Sequence, residues 1–309
     1  MSRLRLATRG SALAVAQSRW VAERIERVLG VETELMRIQT SGDRLRDVPL
    51  SQIGGKGLFV KEIEEALLEG RADVAVHSAK DLPARTPAGL TLAAFPERAD
   101  SRDALLVRPG VPPRLLDLPE GAAIATGSAR RTAQLRSLRP DLKLQPLRGN
   151  VTTRLERLDE GRFDALVLAC AGLDRLSLAH RIDERVAPEQ LLPAVCQGVL
   201  ALEVRSDSAL VEGLRALDHG PSAAAARAER AFLRRLEGDC NVPIAALAEP
   251  AGVGTLRLRG MVSSPDGARS ARAEAEGEDP ERLGIAVAEA ILARGGAEIL
   301  AALRTETLE

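Results

Sequence analysis

The strongest constraint on the fold is an alternation that occurs twice: a short apolar strand, a small polar turn and an amphipathic helix. The turns are nearly the same, Leu6-Ala-Thr-Arg-Gly-Ser-Ala12 in one copy and Ile124-Ala-Thr-Gly-Ser-Ala129 in the other. In the first copy, strands at 4–8, 33–39, 74–76 and 90–94 alternate with helices at 11–29 and 58–69. Ser11 caps the first helix and Gly30 ends it. Leu13, Trp20, Val21, Ile25, Val28 and Leu29 give that helix an apolar face. In the second copy, strands at 122–126, 142–144 and 164–169 alternate with helices at 128–138 and 151–159. Strand–helix–strand units of this length imply right-handed crossovers and a largely parallel sheet, so the sequence predicts two related α/β lobes. Residues 96–102 read as a crossing segment, and a strand at 199–204 with a helix at 208–217 as the return to the first lobe. After the His219-Gly-Pro221 break the pattern becomes a helix (222–236), three strands (242–247, 255–262, 268–275) and a closing helix (279–303), a small α+β domain. The expected division is 1–98 plus 197–217 for the first lobe, 99–196 for the second, and 218–309 for the third domain.

Composition removes several classes of function. Of the 309 residues 45% are apolar and 28% charged, the balance of a globular chain that folds in water. A net charge of −1 gives no bulk attraction to nucleic acid or to an anionic membrane. The longest apolar run, 165–173, is too short to span a bilayer, and residues 2–7 read as a strand rather than an export signal. Cys170, Cys196 and Cys240 are an odd set without paired spacing, which fits a reducing cytoplasm. Cys170 is expected inside a buried strand. His77, His180 and His219 lack ligand spacing, so no metal site is expected.

The residues able to do chemistry collect where strands end. Val74-Ala-Val-His-Ser-Ala-Lys-Asp81-Leu-Pro83 carries a buried strand straight into His77, Ser78, Lys80 and Asp81 before Pro83 stops it. Open α/β sheets bind ligands at such carboxyl ends. Basic side chains recur at other strand–helix junctions: Arg9, Lys56 in Gly54-Gly-Lys-Gly57, Arg130, Arg131, Arg148 and Arg154. Cations are disfavoured at helix N-termini by roughly 0.3–1 kcal/mol each, whereas the free N–H groups there, joined by arginine forks, hold anions. The repetition predicts a cleft between the lobes for a ligand bearing several negative charges. Dispersed arginines match separated carboxylates better than a compact polyphosphate, and no Walker or GxGxxG sequence is present. In that field an ionised Asp81 would steady a developing cation, and a protonated one would donate to a leaving group. Lys80 as a Schiff-base nucleophile is the lesser alternative. In Glu237-Gly-Asp-Cys-Asn-Val-Pro243, Cys240 stands in a loop downstream of Arg234 and Arg235. It is either a thiol lowered and exposed by that setting or a small apolar residue opening a strand.

Six stretches, taken together, resemble the hydroxymethylbilane synthase (porphobilinogen deaminase) family. They are Leu6-Ala-Thr-Arg-Gly-Ser-Ala-Leu-Ala14, Gly54-Gly-Lys-Gly-Leu-Phe-Val-Lys-Glu62, Ala72-Asp-Val-Ala-Val-His-Ser-Ala-Lys-Asp-Leu-Pro83, Leu147-Arg-Gly-Asn-Val151, Leu192-Pro-Ala-Val-Cys-Gln-Gly198 and Leu236-Glu-Gly-Asp-Cys-Asn-Val-Pro-Ile244. They follow the family order over nearly the whole chain. The resemblance implies an α/β enzyme with two periplasmic-binding-protein-like (type II) lobes and a small α+β C-terminal domain, monomeric and cytoplasmic. It implies a dipyrromethane cofactor joined by a thioether to Cys240. Four porphobilinogens are added to it head to tail with release of ammonia, and hydroxymethylbilane is hydrolysed off for haem and other tetrapyrroles. Asp81 matches the family's catalytic aspartate. Lys80, Asp81, Ser128, Arg130, Arg131 and Arg148 match its cofactor contacts, and Arg9, Ser11, Lys56, Thr126, Arg148, Arg154, Arg175 and Gln197 its substrate contacts. The sequence departs from the pattern at Asp239, where glycine is common, at Ala79, where methionine is common, and at Gly127, where a hydroxyl residue is common. A non-catalytic two-lobed anion-binding protein would also account for the basic strand ends, but not for Cys240.

Overall fold

The computed structural model describes residues 3–41, 60–238 and 242–306. Lys56 with its glycine-rich turn, Asp239 and Cys240 lie outside them. The chain forms two compact units, 1–99 with 198–224 and 100–197 with 225–309.

The first unit is built from β1 (Leu4–Arg9), α1 (Ala12–Leu29), β2 (Thr33–Ile38), α2 (Lys61–Leu68), β3 (Val74–Ser78) and β4 (Leu90–Ala94). Ser11 Oγ accepts from the Ala14 N–H at the start of α1, and Gly30 closes the helix at φ +65°, a left-handed position that glycine adopts without steric cost. The second unit opens with β5 (Asp103–Val107), β6 (Ala123–Ala125), α3 (Ala129–Leu138), β7 (Lys143–Gln145), α4 (Val151–Asp159), β8 (Ala165–Ala169), α5 (Cys170–Arg175) and β9 (Glu184–Val186). The chain then returns to the first unit as β10 (Leu200–Arg205) and α6 (Leu210–Leu214).

The two sheets have one topology. The first runs β2-β1-β3-β10-β4 and the second β7-β6-β8-β5-β9. In each, the first three strands are parallel, and the fourth is antiparallel to both its neighbours. The similar strand–helix turns noticed in the sequence therefore follow equivalent strands, β1 and β6. Both sheets are covered on two faces. In the first, Leu6, Val74, Val76 and Leu202 pack with Val21 and Ile25 of α1; on the other face Ala7 and Ala75 pack with Ile63 and Leu67 of α2. In the second, Leu106, Leu166 and Leu168 pack with Leu155 and Leu158 of α4, and Leu105, Ile124 and Val167 with Leu135 of α3.

Helix α7 (Gly220–Leu236) begins in the first unit and from residue 225 belongs to the second, which also comprises the antiparallel meander β11 (Ile244–Pro250), β12 (Leu256–Ser263) and β13 (Ser270–Gly277), then α8 (Pro280–Ile291) and α9 (Ala297–Glu306). The meander is fastened to the α/β portion at several points. Ala245, Leu247 and Met261 pack on Leu192, the Ala246 N–H donates to the Pro193 carbonyl, and Arg136 Nη1 of α3 donates to the Pro265 carbonyl.

Several expectations need correction. Strands β5 and β9 were not anticipated, because Asp103 puts a charge at the head of an otherwise apolar run and the crossing segment leads straight into it. Cys170 opens α5 instead of lying in a strand, though it is fully buried. The face of α1 is rotated from the expected one: Val28 is exposed, while Gln17 and Ser18 are buried. The closing helix is broken between α8 and α9, where Arg294 and Gly295 leave helical geometry and Gly295 takes φ +96°.

Candidate functional site

Asp81 is positioned by the most buried part of the first sheet. Strand β3 is held between β1 and β10, and its exit is pinned by the Ala79 N–H, which donates to the Val199 carbonyl. A single 3-10 turn, Ala79–Asp81, follows, carrying Lys80 and Asp81. Leu82 is buried behind it, and Pro83 prevents any helical continuation. Asp81 then faces a recess of about 430 Å³, part of it open solvent, which Arg9, Ser11, Gln17, His77 and Ser78 also line. The structure thus brings together Arg9, Ser11 and Asp81 from separate stretches of sequence. Gln17 was not foreseen. Its amide exchanges hydrogen bonds with Ser78 Oγ at 3.0 and 3.2 Å, and the available signal was a glutamine on an otherwise small and apolar side of α1.

The second unit gathers the arginines. Ser128 Oγ caps α3 by accepting from the Arg131 N–H, and Thr126 Oγ1 accepts from the Ser128 N–H. Arg130 and Arg131, in the first turn, fold back onto Asp103 at the head of β5. Arg130 Nη1 and Nη2 reach its carboxylate at 2.6 and 3.1 Å, and Arg131 Nε and Nη2 at 3.0 and 2.7 Å. Gln197 Nε2 donates to the same carboxylate at 2.9 Å and to the Ser101 carbonyl at 2.8 Å. Asp103 is 0% exposed. Burial alone would raise its carboxyl, but the guanidiniums of Arg130 and Arg131 hold it well below the usual carboxylate range. Two cations share this one anion, so the group keeps a net positive charge. Asp103 was missed because sequence reading treated Arg130 and Arg131 as facing only a ligand. Part of their charge is answered inside the protein.

Arg148 and Arg154 flank the N-terminus of α4, where Asn150 is the capping residue. Arg154 Nε donates to the Gly149 carbonyl. Burial, followed by the like charges of Arg131, Arg148 and Arg157, lowers the Arg154 guanidinium to about 10. Arg157, one turn along α4, donates to the Arg148 carbonyl; its spacing of three residues from Arg154 was the overlooked signal. Arg175 ends α5, lowered to about 10 by burial, with Asp174 acting in the opposite direction. Gly127 has a packing reason: a Cβ there would stand 2.5 Å from the Leu147 carbonyl oxygen. The turn leaving β6 and the loop carrying Arg148 meet at that point, and a side chain would drive them apart.

These residues suit a ligand with several carboxylates. Arg130 Nε is buried without a hydrogen-bond partner among the described residues, and Arg131, Arg148, Arg154 and Arg157 crowd positive charge that an acidic group would neutralise.

Two sheets of one strand order, with basic helix starts after strands of one and an aspartate at a strand end of the other, make this a two-lobed α/β protein. Residues 4–213 match the family described as porphobilinogen deaminase, dipyromethane cofactor binding domain, and residues 223–293 match porphobilinogen deaminase, C-terminal domain. The chain belongs to the porphobilinogen deaminase family, a family of transferases. It is similar to the porphobilinogen deaminase of Geobacter sulfurreducens, with 49% identity over 97% of this chain and 95% of that protein. The porphobilinogen deaminase of Brevibacillus brevis is 45% identical over 99% of each. Among solved structures, the periplasmic VFT2 domain of Bordetella pertussis BvgS is similar at a TM-score of 0.40 and 18% identity, over 69% of this chain and 85% of that one. No helix among the described residues is long and apolar enough to cross a membrane.

Proposed function

We propose that this chain is a cytoplasmic, monomeric porphobilinogen deaminase with Cys240 as the attachment point of its dipyrromethane. The observation that carries the reading is the match of residues 4–213 to the cofactor-binding domain of that family, within which Asp81 and the basic helix starts fall. Arg130, Arg131, Arg148, Ser128 and Lys80 would hold the cofactor, which when bound supplies the free pyrrole carbon onto which the chain grows. Arg9, Ser11, Lys56, Thr126, Arg154, Arg175 and Gln197 are assigned to the substrate, with Arg157 added as a support of Arg148. The working division into domains remains 1–98 with 197–217, 99–196 and 218–309.

Each porphobilinogen brings an acetate and a propionate. Arginine forks recognise such carboxylates in two-point contacts worth roughly 1.5–3 kcal/mol apiece. As ammonia leaves the aminomethyl group, positive charge develops on the incoming ring, and an ionised Asp81 lowers the energy of that state. Fixing the ring beside Asp81 adds the proximity contribution.

The intact mass of the purified protein tests the assignment. An adduct of two pyrrole units mapping to Cys240, with ammonia release from porphobilinogen, is expected. Absence of both rejects it in favour of a non-catalytic anion binder. Asp81→Asn should retain porphobilinogen binding while turnover falls by about 10²-fold or more; near-normal turnover would remove Asp81 from the chemistry.

A further inference from the structure

Behind the recess stands a second group of ionisable side chains that the chemistry above does not use. His77 lines the recess, on the face of β3 that meets α2. Its Nε2 lies 3.0 Å from Oε2 of Glu203 on β10, and the two residues are 4% and 1% exposed. Glu64, on α2, completes the group. Its Oε1 is buried with no hydrogen-bond partner among the described residues. Burial, and next the charge of Glu203, push the Glu64 carboxyl up to about 7, while His77 pulls it down and Glu65 adds a little upward. Among the described residues, β2, which packs on α2 through Met36 and Ile38, carries Glu34 and Arg37. Lys61 is near Glu65, Glu62 accepts from Ser41, and Arg5 of β1 is paired with Asp73. Arg205 of β10 donates to the carbonyls of Leu67 and Ala72. Arg9 and Asp81 face the recess, Lys80 lies on the 3-10 turn, and β4 carries no charged residue.

We infer that Glu64, set beside the buried His77–Glu203 pair, is a positioning residue whose ionisation sets the negative potential behind Asp81. The inference rests on the deaminase reading of the site. When Glu64 gives up its proton the cluster becomes one unit more negative. That charge favours the cation formed as ammonia departs, and it opposes the entry of a substrate bearing two carboxylates. One ionisation thus raises kcat and KM together, by roughly 3–10-fold each across a partly solvated separation.

The test measures kcat and KM of the holoenzyme with porphobilinogen from pH 6 to 9, together with a carbon NMR titration of the glutamate carboxyls. The wild type should show both parameters rising through about pH 7 and one glutamate carboxyl titrating over the same range. Glu64→Gln should abolish the rise, hold both parameters near their low-pH values and remove that NMR signal. Glu64→Asp should restore the rise, and Glu203→Gln should move it to lower pH. An unaltered rise in Glu64→Gln, or no glutamate titrating near neutrality, overturns the inference while leaving the deaminase reading in place. A wild-type protein that releases no ammonia from porphobilinogen, yet shows the neutral titration, sinks the deaminase reading and the kinetic role with it.

Discussion

Asp103→Asn retains the shape of a side chain and deletes the charge that two buried cations share. In the wild type that carboxylate receives Arg130, Arg131 and Gln197 at 2.6–3.1 Å. Arg130 and Arg131 are only 5% and 6% exposed, so neither can turn to water without unpacking α3. Removing one member of a buried ion pair costs about 3–5 kcal/mol, because the charge left behind stays desolvated. At about 2–4 °C per kcal/mol for units of this size, the midpoint of thermal unfolding should fall by roughly 6–20 °C at pH 7. The pH dependence has a defined sign. The folded protein holds the Asp103 carboxyl below its unfolded value, so its stabilisation is complete above about pH 4 and is lost as pH falls towards the folded value. The gap between wild type and variant should therefore be widest at neutral pH and narrow by pH 3. Calorimetry at pH 7, 5 and 3 measures it. Adding Arg130→Met to Asp103→Asn should cost less than the sum of the single changes by about 0.5–3 kcal/mol. A variant melting within 2 °C of wild type at pH 7, or a gap that does not narrow on acidification, would refute the claim that Asp103 neutralises the pair.

Two further outcomes follow from single positions. Arg154→Met removes one of four crowded guanidiniums, so thermal stability should hold or rise slightly while KM for porphobilinogen increases about 10-fold or more; a lower melting point with unchanged KM would make Arg154 structural. Gly284→Ala would place a Cβ 2.3 Å from the Ala228 carbonyl oxygen and 2.7 Å from Ala231 Cβ, so urea unfolding should show a loss of about 1–3 kcal/mol; an unchanged midpoint would mean that α7 and α8 separate freely.

Much of this was legible in the chain because local signals and tertiary demand agree. Ser11 and Gly30 bracket α1 as their side chains and backbone require, and the repeated turns at residues 6–12 and 124–129 mark equivalent strands of two sheets. Asp81 could be singled out because an apolar strand ends abruptly in polar residues. What escaped was decided by distant partners. Asp103 becomes significant only when α3 folds its arginines over β5, and Gln17 only when Ser78 reaches it. Glu203 reads as a charge on an apolar strand, yet His77 lies 126 residues away in sequence. Gly127 could be noticed as a departure, but its reason, the Leu147 carbonyl, exists only in three dimensions.

The order of strands in the first sheet bears on how the protein is made. Strand β10 lies between β3 and β4, yet it is synthesised only after the entire second sheet. At about 5–20 residues per second, a ribosome needs roughly 5–20 s to travel from the end of β4 to the start of β10. Until then β3 and β4 have no strand to separate and join them, so their facing edges lack backbone partners, and the core beside Val74 and Val76 lacks Leu200, Leu202 and Val204. The half of the molecule that emerges first is the last able to close. A nascent chain of this topology therefore carries a sticky, unfinished sheet through translation, the stage at which a chaperone has most to shield.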